Sequence, residues 1–183
     1  DPGKSLTIDT DSGAIQMQGA IGGSKALTAL TINSDGDAVI EVANIGSTTV
    51  GVTGSTAIGN TDTGTLTLSG TVYTTNAATY TAATGENIDL TGAATTTFTS
   101  TNDNITFGTA TLEMSDGSHL VINTDTGRGQ INMTGGVMGT SSENVTLTAG
   151  TGTVAIGAIG SGSEIADVSI TSSGNTTLHG DFT

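Results

Sequence analysis

One short pattern recurs along the whole chain: an apolar side chain, a polar or small residue, then a second apolar side chain. Fourteen copies can be read: Leu6/Ile8, Ile15/Met17, Leu30/Ile32, Ile40/Val42, Val50/Val52, Leu66/Leu68, Ile88/Leu90, Ile105/Phe107, Leu112/Met114, Leu120/Ile122, Ile131/Met133, Val145/Leu147, Val154/Ile156 and Val168/Ile170. Alternation with a period of two marks a strand with one face buried and the other in water, and no stretch carries the 3.6-residue period of an amphipathic helix. Between the triplets lie Ser-Asp-Gly, Asn-Thr-Asp-Thr-Gly, Thr-Gly-Glu-Asn and Ala-Gly-Thr-Gly, whose Gly, Asn and Asp residues supply the backbone conformations of tight turns. The chain is therefore all-β. Its core is expected to contain Leu6, Ile8, Ile15, Leu30, Ile32, Leu66, Leu68, Ile88, Leu90, Leu120, Ile122, Ile131, Val145, Leu147, Val154, Ile156, Val168 and Ile170. Thr7, Gln16, Thr67, Asp89, Thr146 and Ser169 are expected to face outward.

The spacing of the triplets suits either an antiparallel sandwich or a parallel solenoid. Composition separates the two. There is no Trp, one Pro, and only three Phe and two Tyr in 183 residues. A wide sandwich core would be hard to fill without the large aromatic areas. A narrow core of Val, Ile, Leu and Ala needs none, so the sequence predicts a parallel β-helix, a β-solenoid. At roughly 20 residues per coil, within the usual range of structural repeats, it would have about eight coils. Residues 71–100 are Thr- and Ala-rich with weak alternation before Ile88, and they read as coils with a less well packed core.

A longer period supports a repeat architecture. Leu6 to Gly19 returns, with two inserted residues, as Leu120 to Gly135: Leu6/Leu120, Ile8/Ile122, Thr10/Thr124, Asp11/Asp125, Gly13/Gly127, Ile15/Ile131, Met17/Met133 and Gly19/Gly135 are identical in type. Ala43 to Ser47 likewise matches Gly157 to Ser161, and Leu68-Ser69-Gly70 matches Leu178-His179-Gly180. The chain is thus read as one solenoid segment, 1–183, with copies at 5–118 and 119–183, the second incomplete. The opening Asp1-Pro2-Gly3, without Met or a signal segment, predicts a processed product or an excised fragment. The second copy breaks off near Phe182, which predicts end-to-end contact with flanking repeats or identical copies.

Gly19-Ala20-Ile21-Gly22-Gly23 leading into Ala29-Leu30-Thr31-Ile32, with Asn44-Ile45-Gly46, Leu66-Thr67-Leu68-Ser69-Gly70 and Val145-Thr146-Leu147-Thr148-Ala149-Gly150-Thr151-Gly152, resembles the β-strand repeats of filamentous haemagglutinin-like proteins. The resemblance covers most of the chain and is specific to architecture. It implies a right-handed parallel β-helix belonging to a large bacterial surface adhesin or extracellular filament, outside the cell. Proteins of this group serve as adhesins, filaments and stalks. None of their functional residues maps onto a position here.

Charge narrows the partners. The formal net charge is −14, with Lys4, Lys25 and Arg128 the only basic residues besides two His. Phosphate recognition needs clustered Lys and Arg, so nucleic acid is not an expected partner. No apolar run approaches the ~18 residues that span a bilayer, so no membrane insertion is expected. Without Cys there is no disulfide framework. His119 and His179 align with Ser5 and Ser69 in the repeat, and both read as residues of solvent-facing turns, so no nucleophile-base pair is indicated. The expected reading is non-enzymatic, with no catalytic residues. A polysaccharide-active β-helix enzyme ranks below it.

Two binding readings remain beside the structural one. Asp9-Thr10-Asp11-Ser12-Gly13 and Asn33-Ser34-Asp35-Gly36-Asp37 put oxygens on alternate residues as calcium loops do, making Asp9, Asp11, Asp35 and Asp37 the candidate ligands. Neither stretch has the closing Glu of a calcium loop, and Asp9 becomes Asn123 in the second copy, so solvated turns are favoured and no cofactor is expected. Thr65/Thr67, Thr79/Thr81, Thr95/Thr97, Thr99/Thr101 and Thr146/Thr148 form Thr ladders that would bind ice if the coils brought them into register; their irregular spacing argues against a flat register, and Thr is in any case a good outward residue on a strand. A carbohydrate or a surface receptor along one face is the related alternative. Asn104, Asn132, Asn144 and Asn175 open N-glycan acceptor patterns, which are expected by chance in a chain this rich in Asn and Thr.

Overall fold

The computed structural model describes residues 3–92, 94–161 and 164–183, so Asp1 and Pro2 of the opening tripeptide lie outside the described residues. In chain order the strands are β1 (Ser5–Thr10), β2 (Ile15–Met17), β3 (Ala29–Ser34), β4 (Ile40–Val42), β5 (Thr56–Ile58), β6 (Leu66–Leu68) and β7 (Val72–Thr74). They continue as β8 (Ala78–Tyr80), β9 (Asn87–Leu90), β10 (Thr95–Thr99), β11 (Ile105–Thr106), β12 (Thr111–Met114) and β13 (His119–Asn123). The last are β14 (Ile131–Met133), β15 (Val137–Met138), β16 (Glu143–Gly150), β17 (Val154–Ile156), β18 (Ile165–Ser172) and β19 (Thr176–Leu178). Among the described residues there is no helix.

These strands make three parallel sheets. The eight-stranded face is β1-β3-β5-β8-β11-β14-β17-β19, the six-stranded face β2-β4-β6-β9-β12-β15, and the five-stranded face β7-β10-β13-β16-β18. Parallel neighbours need a crossover between them. Here the crossover is the rest of the coil, which visits the other faces before returning one rung further along. Leu6 pairs with Leu30, then Thr56, Ala78, Ile105, Ile131, Val154 and Thr176 in succession, so a turn takes 22 to 27 residues. The solenoid therefore has about seven turns rather than eight, because its corners use more chain than a minimal coil.

Strand length is fixed by the corners. Thr10 Oγ1 donates to the Gly13 carbonyl at 2.7 Å between β1 and β2, and Thr124 Oγ1 donates to the Gly129 carbonyl at 2.8 Å between β13 and β14. The repeat seen in the sequence is therefore a repeat of corner chemistry. Its two copies lie on different faces: Leu6 is on the eight-stranded face and Leu120 on the five-stranded one, while Ile15 is on the six-stranded face and Ile131 on the eight-stranded one. Ile45 and Ile159 differ in the same sense, joining Tyr73 and Val137 respectively. A shift of about 114 residues thus lands two-thirds of a turn beyond a whole number of coils. Both Ile-Gly pairs keep the same backbone, with φ +76° at Gly46 and at Gly160. A Cβ at Gly46 would collide with the Val50 carbonyl oxygen, so only glycine fits there.

Inside the stack, inward residues form columns. Ile15, Leu30, Ile32, Leu66, Leu68, Ile88, Leu90, Leu120, Ile122, Ile131, Val145, Leu147, Val154 and Ile156 are all buried. Leu6, Ile8, Val168 and Ile170 lie on terminal rungs and are only partly buried. Val50 and Val52 form no named strand; Val52 is buried and bridges Leu27 and Thr75.

The expectation of a loosely packed core over residues 71–100 is corrected. Tyr73, Tyr80 and Phe98 from this stretch, with Phe107, are fully buried. Tyr73 stacks on Phe98 with ring centroids 4.7 Å apart, Tyr80 stacks on Phe107 at 5.1 Å, and the two pairs meet edge to face. Among the Ala and Thr residues that made the stretch look weak, Ala78, Ala82, Thr75 and Thr96 are buried as well. Alternating large rings with small residues is a way to fill a narrow core. Four of the five aromatic residues stand in this one cluster, so the core does use aromatics. Tyr73 Oη donates to the Val42 carbonyl at 3.0 Å and accepts from Gly70 N at 2.9 Å. Burial pushes both tyrosine phenols far above their usual range.

Candidate functional site

Of the four aspartates considered as calcium ligands, Asp9 lies within β1, in register with Asn33 of β3, and Asp11, Asp35 and Asp37 stand at the corners leaving the eight-stranded face. Asn33 Nδ2 donates to Asp9 Oδ1 at 3.0 Å across one rung, and Asn60 Nδ2 donates to Asp35 Oδ1 at 2.6 Å across the next. Asp37 has φ +58° and donates its backbone N–H to the Asp62 carbonyl at 2.9 Å, and Asp11 is exposed. Among the described residues no three Asp, Glu or His side chains come together in a group that could hold a metal ion. Two of the four carboxylates are instead tied to amides of the following coil.

The most constrained carboxylate was not singled out from sequence. Glu143 is fully buried where β15 turns into β16. Its Oε2 accepts from Thr140 N and Ser141 N, each at 2.8 Å, and its Oε1 accepts from Thr140 Oγ1 at 3.0 Å and from Gly117 N, one coil earlier, at 3.2 Å. Burial raises its pKa, but the donors, led by the Ser141 and Thr140 backbone amides, outweigh this and hold it at about 2. An ionised carboxylate satisfied by amides can stay buried without a cation. It ties the turn after β12 to the turn after β15. A sequence signal existed, since Glu143 is in phase with Val145 and Leu147 and so had to point inward.

The Thr ladders are distributed over the faces. Thr79 stands outward on the eight-stranded face between Ala57 and Thr106, and Thr67 on the six-stranded face between Glu41 and Asp89. Those on the five-stranded face come into register. One outward column there reads Val72, Thr97, Val121, Thr146, Ser169, and its neighbour Thr74, Thr99, Asn123, Thr148, Thr171. Neither column contains a charge. The six-stranded face differs, running Gln16, Glu41, Thr67, Asp89, Glu113, Met138. There, burial and then the nearby Glu113 and Glu86 push the Asp89 carboxyl up.

His119 opens β13 rather than sitting in a turn, and its Nδ1 accepts from Asn144 N at 3.0 Å. His179 is exposed just after β19, and Arg128 is exposed in the corner before β14. Asn104 and Asn175 are exposed, Asn132 and Asn144 half-buried. A recess of about 360 Å³ at the C-terminal end is lined by Ala158, Ser161, Gly180, Asp181 and Thr183. A smaller one of about 170 Å³ lies beside β7 among Thr49, Thr74, Asn76 and Thr99. No helix of the described residues is long and apolar enough to cross a membrane. Comparison with protein-family models, curated proteins and solved structures returns no match.

Proposed function

We propose that the chain is a structural, non-enzymatic unit of an extracellular, cell-surface stalk or filament. The observation that carries this is the continuity of the inward columns. From Ile15 through Ile40, Leu66, Ile88, Leu112, Val137 and Ile159 to Phe182, the six-stranded face stacks one apolar side chain on the next. Each rung depends on the one before and after it, which is how solenoids transmit length and stiffness. The sequence resemblance to filamentous haemagglutinin-like adhesins supports the cell-surface setting. Antibodies against the folded chain should label intact source cells along extended surface structures, and the chain should turn over none of a panel of polysaccharides with or without divalent metal. Label confined to the cell interior, or robust turnover, would overturn the reading.

One observation favours a second reading, a binding face. The two uncharged columns on the five-stranded face present Thr and Val side chains, interrupted by Ser169 in one and Asn123 in the other, at the strand spacing of ~4.8 Å along the stack and a two-residue repeat across it. Such an array would order water or bind ice. Ice-recrystallisation assays of the chain against a Thr97→Lys/Thr146→Lys variant separate this from the structural reading, and equal results for the two proteins would exclude it. A carbohydrate array screen tests the other ligand of this reading.

A further inference from the structure

The Ser-Asp-Gly turns contain the two Asp-Gly pairs of the chain, Ser34-Asp35-Gly36 and Ser115-Asp116-Gly117. We propose that Asp35-Gly36 is a site of spontaneous covalent modification, converting to isoaspartate through a succinimide, and that the fold protects Asp116-Gly117 from the same reaction.

The chemistry needs no reactant other than water. The backbone nitrogen of the glycine bonds to Cγ of the aspartic acid side chain in its neutral form. The amide hydrogen and the carboxyl hydroxyl leave together as water, and a five-membered imide remains. Water then adds to one of the two imide carbonyls, either restoring aspartate or giving isoaspartate, in which the main chain runs through Cβ and Cγ. Glycine favours the attack because no Cβ shields its nitrogen. Since that nitrogen must give up its hydrogen, whatever holds the N–H governs which pair reacts.

Two corners that are alike in sequence differ in this respect. One follows β3 and the other β12, and both glycines are exposed, with φ +67° at Gly36 and +72° at Gly117. Their neighbouring carboxylates are matched, each accepting one hydrogen bond from the following coil: Asp35 Oδ1 from Asn60 Nδ2, and Asp116 Oδ1 from Ser141 Oγ. The amides are not matched. Gly117 N donates to Oε1 of the buried Glu143 at 3.2 Å. An imide there would take a donor away from a buried, ionised carboxylate, which raises the barrier. Gly36 N has no acceptor among the described residues, so its hydrogen leaves without breaking a bond of the fold.

The product would alter the contacts between coils. Asp35 N donates to the Thr10 carbonyl at 3.1 Å and Asp37 N to the Asp62 carbonyl at 2.9 Å, which ties this corner to the coils on both sides. Isoaspartate at 35 adds one main-chain atom between those two amides and removes the side-chain carboxylate that Asn60 binds.

The test incubates the folded chain in oxygen-18 water at mildly acidic pH and reads isoaspartate and incorporated label in the two corner peptides by mass spectrometry. Asp35 should convert at least about tenfold faster than Asp116. In denaturant, where neither amide is held, the two pairs should react at similar rates. Glu143→Ala, its fold checked by circular dichroism, frees the Gly117 N–H and should raise the Asp116 rate to near that of Asp35 while leaving Asp35 unchanged. Should that variant not fold, the folded and denatured parent chains decide between them. Asp116 reacting as fast as Asp35 in the folded chain would overturn the inference. So would an Asp35 that stays unlabelled while the denatured chain converts, or an Asp116 rate unmoved in folded Glu143→Ala.

Discussion

The middle of the solenoid and its two ends are built from the same strand pattern and reach opposite outcomes. In the middle, Tyr73, Tyr80, Phe98 and Phe107 interlock across successive turns and are fully buried, and small residues of the same stretch are buried as well. At the ends, Leu6, Ile8, Val168 and Ile170 occupy equivalent inward positions yet stay half in solvent, and Leu178 and Phe182 are exposed. The difference lies in neighbours rather than residue type. An inward residue in a solenoid is buried by the rungs on both sides, so the same isoleucine contributes far more in the middle than on a terminal rung.

The largest effect expected is at the centre. Phe98→Ala should cost about 3–5 kcal/mol, because it opens a cavity between Tyr73 and Phe107, whereas Leu178→Ala at the end should cost under about 1 kcal/mol. Chemical denaturation of the dilute monomer measures both, and similar costs would break the comparison. Next, Leu147→Ala should cost about 2–5 kcal/mol while its outward neighbour Thr146→Ala costs far less, which sharpens the face assignment along β16.

Glu143 gives a pH handle on the coils between the middle and the C-terminal end. Its folded pKa of about 2 lies below the reference 4.5, so the stability it contributes is fully present above about pH 4.5 and is lost as pH falls toward 2. Glu143→Ala should cost about 1–3 kcal/mol at neutral pH by leaving the Thr140, Ser141 and Gly117 amides without their acceptor. Acid melts of Glu143→Gln should be flatter between pH 4.5 and 2 than those of the parent chain. An unchanged acid profile would show that the clamp contributes nothing.

The smallest contrast is within the aromatic cluster. Tyr73→Phe removes a hydroxyl that bridges Val42 and Gly70, and should cost about 1–3 kcal/mol. Tyr80 Oη is buried and makes no hydrogen bond of good geometry, the Thr75 hydroxyl being its candidate partner, so Tyr80→Phe should cost less than Tyr73→Phe. Thermal melts of the two variants side by side decide it.

Much of this architecture was legible in the sequence because period-two alternation directly reports which side chains face inward. What escaped were strands whose inward positions carry Thr or Ala: β5 turns Thr56 inward, β10 turns Thr96 inward, and β8 turns Ala78 inward beside Tyr80. Such residues look like turn or surface composition until their partners across the core are known, and those partners are a turn or more away in the chain. The 114-residue repeat was visible for the same local reason, since Thr10 and Thr124 close similar corners, yet the face each copy occupies depends on the summed length of all intervening corners. No local pattern encodes that sum. Among the candidate ligands, Asp35 was legible as a turn acid whereas Asp9 proves to lie in β1, and neither was legible as a partner of Asn60 or Asn33, because register pairs residues more than 20 positions apart.

Hydrogen exchange on the dilute monomer, resolved by residue, tests most directly the claim that burial by both neighbouring rungs sets local stability. Amides of β7 through β14, around the aromatic cluster, should exchange only through global unfolding, while those of β1, β18 and β19 should exchange orders of magnitude faster through local opening. Uniform protection along the chain, or slowest exchange in the terminal strands, would contradict the account.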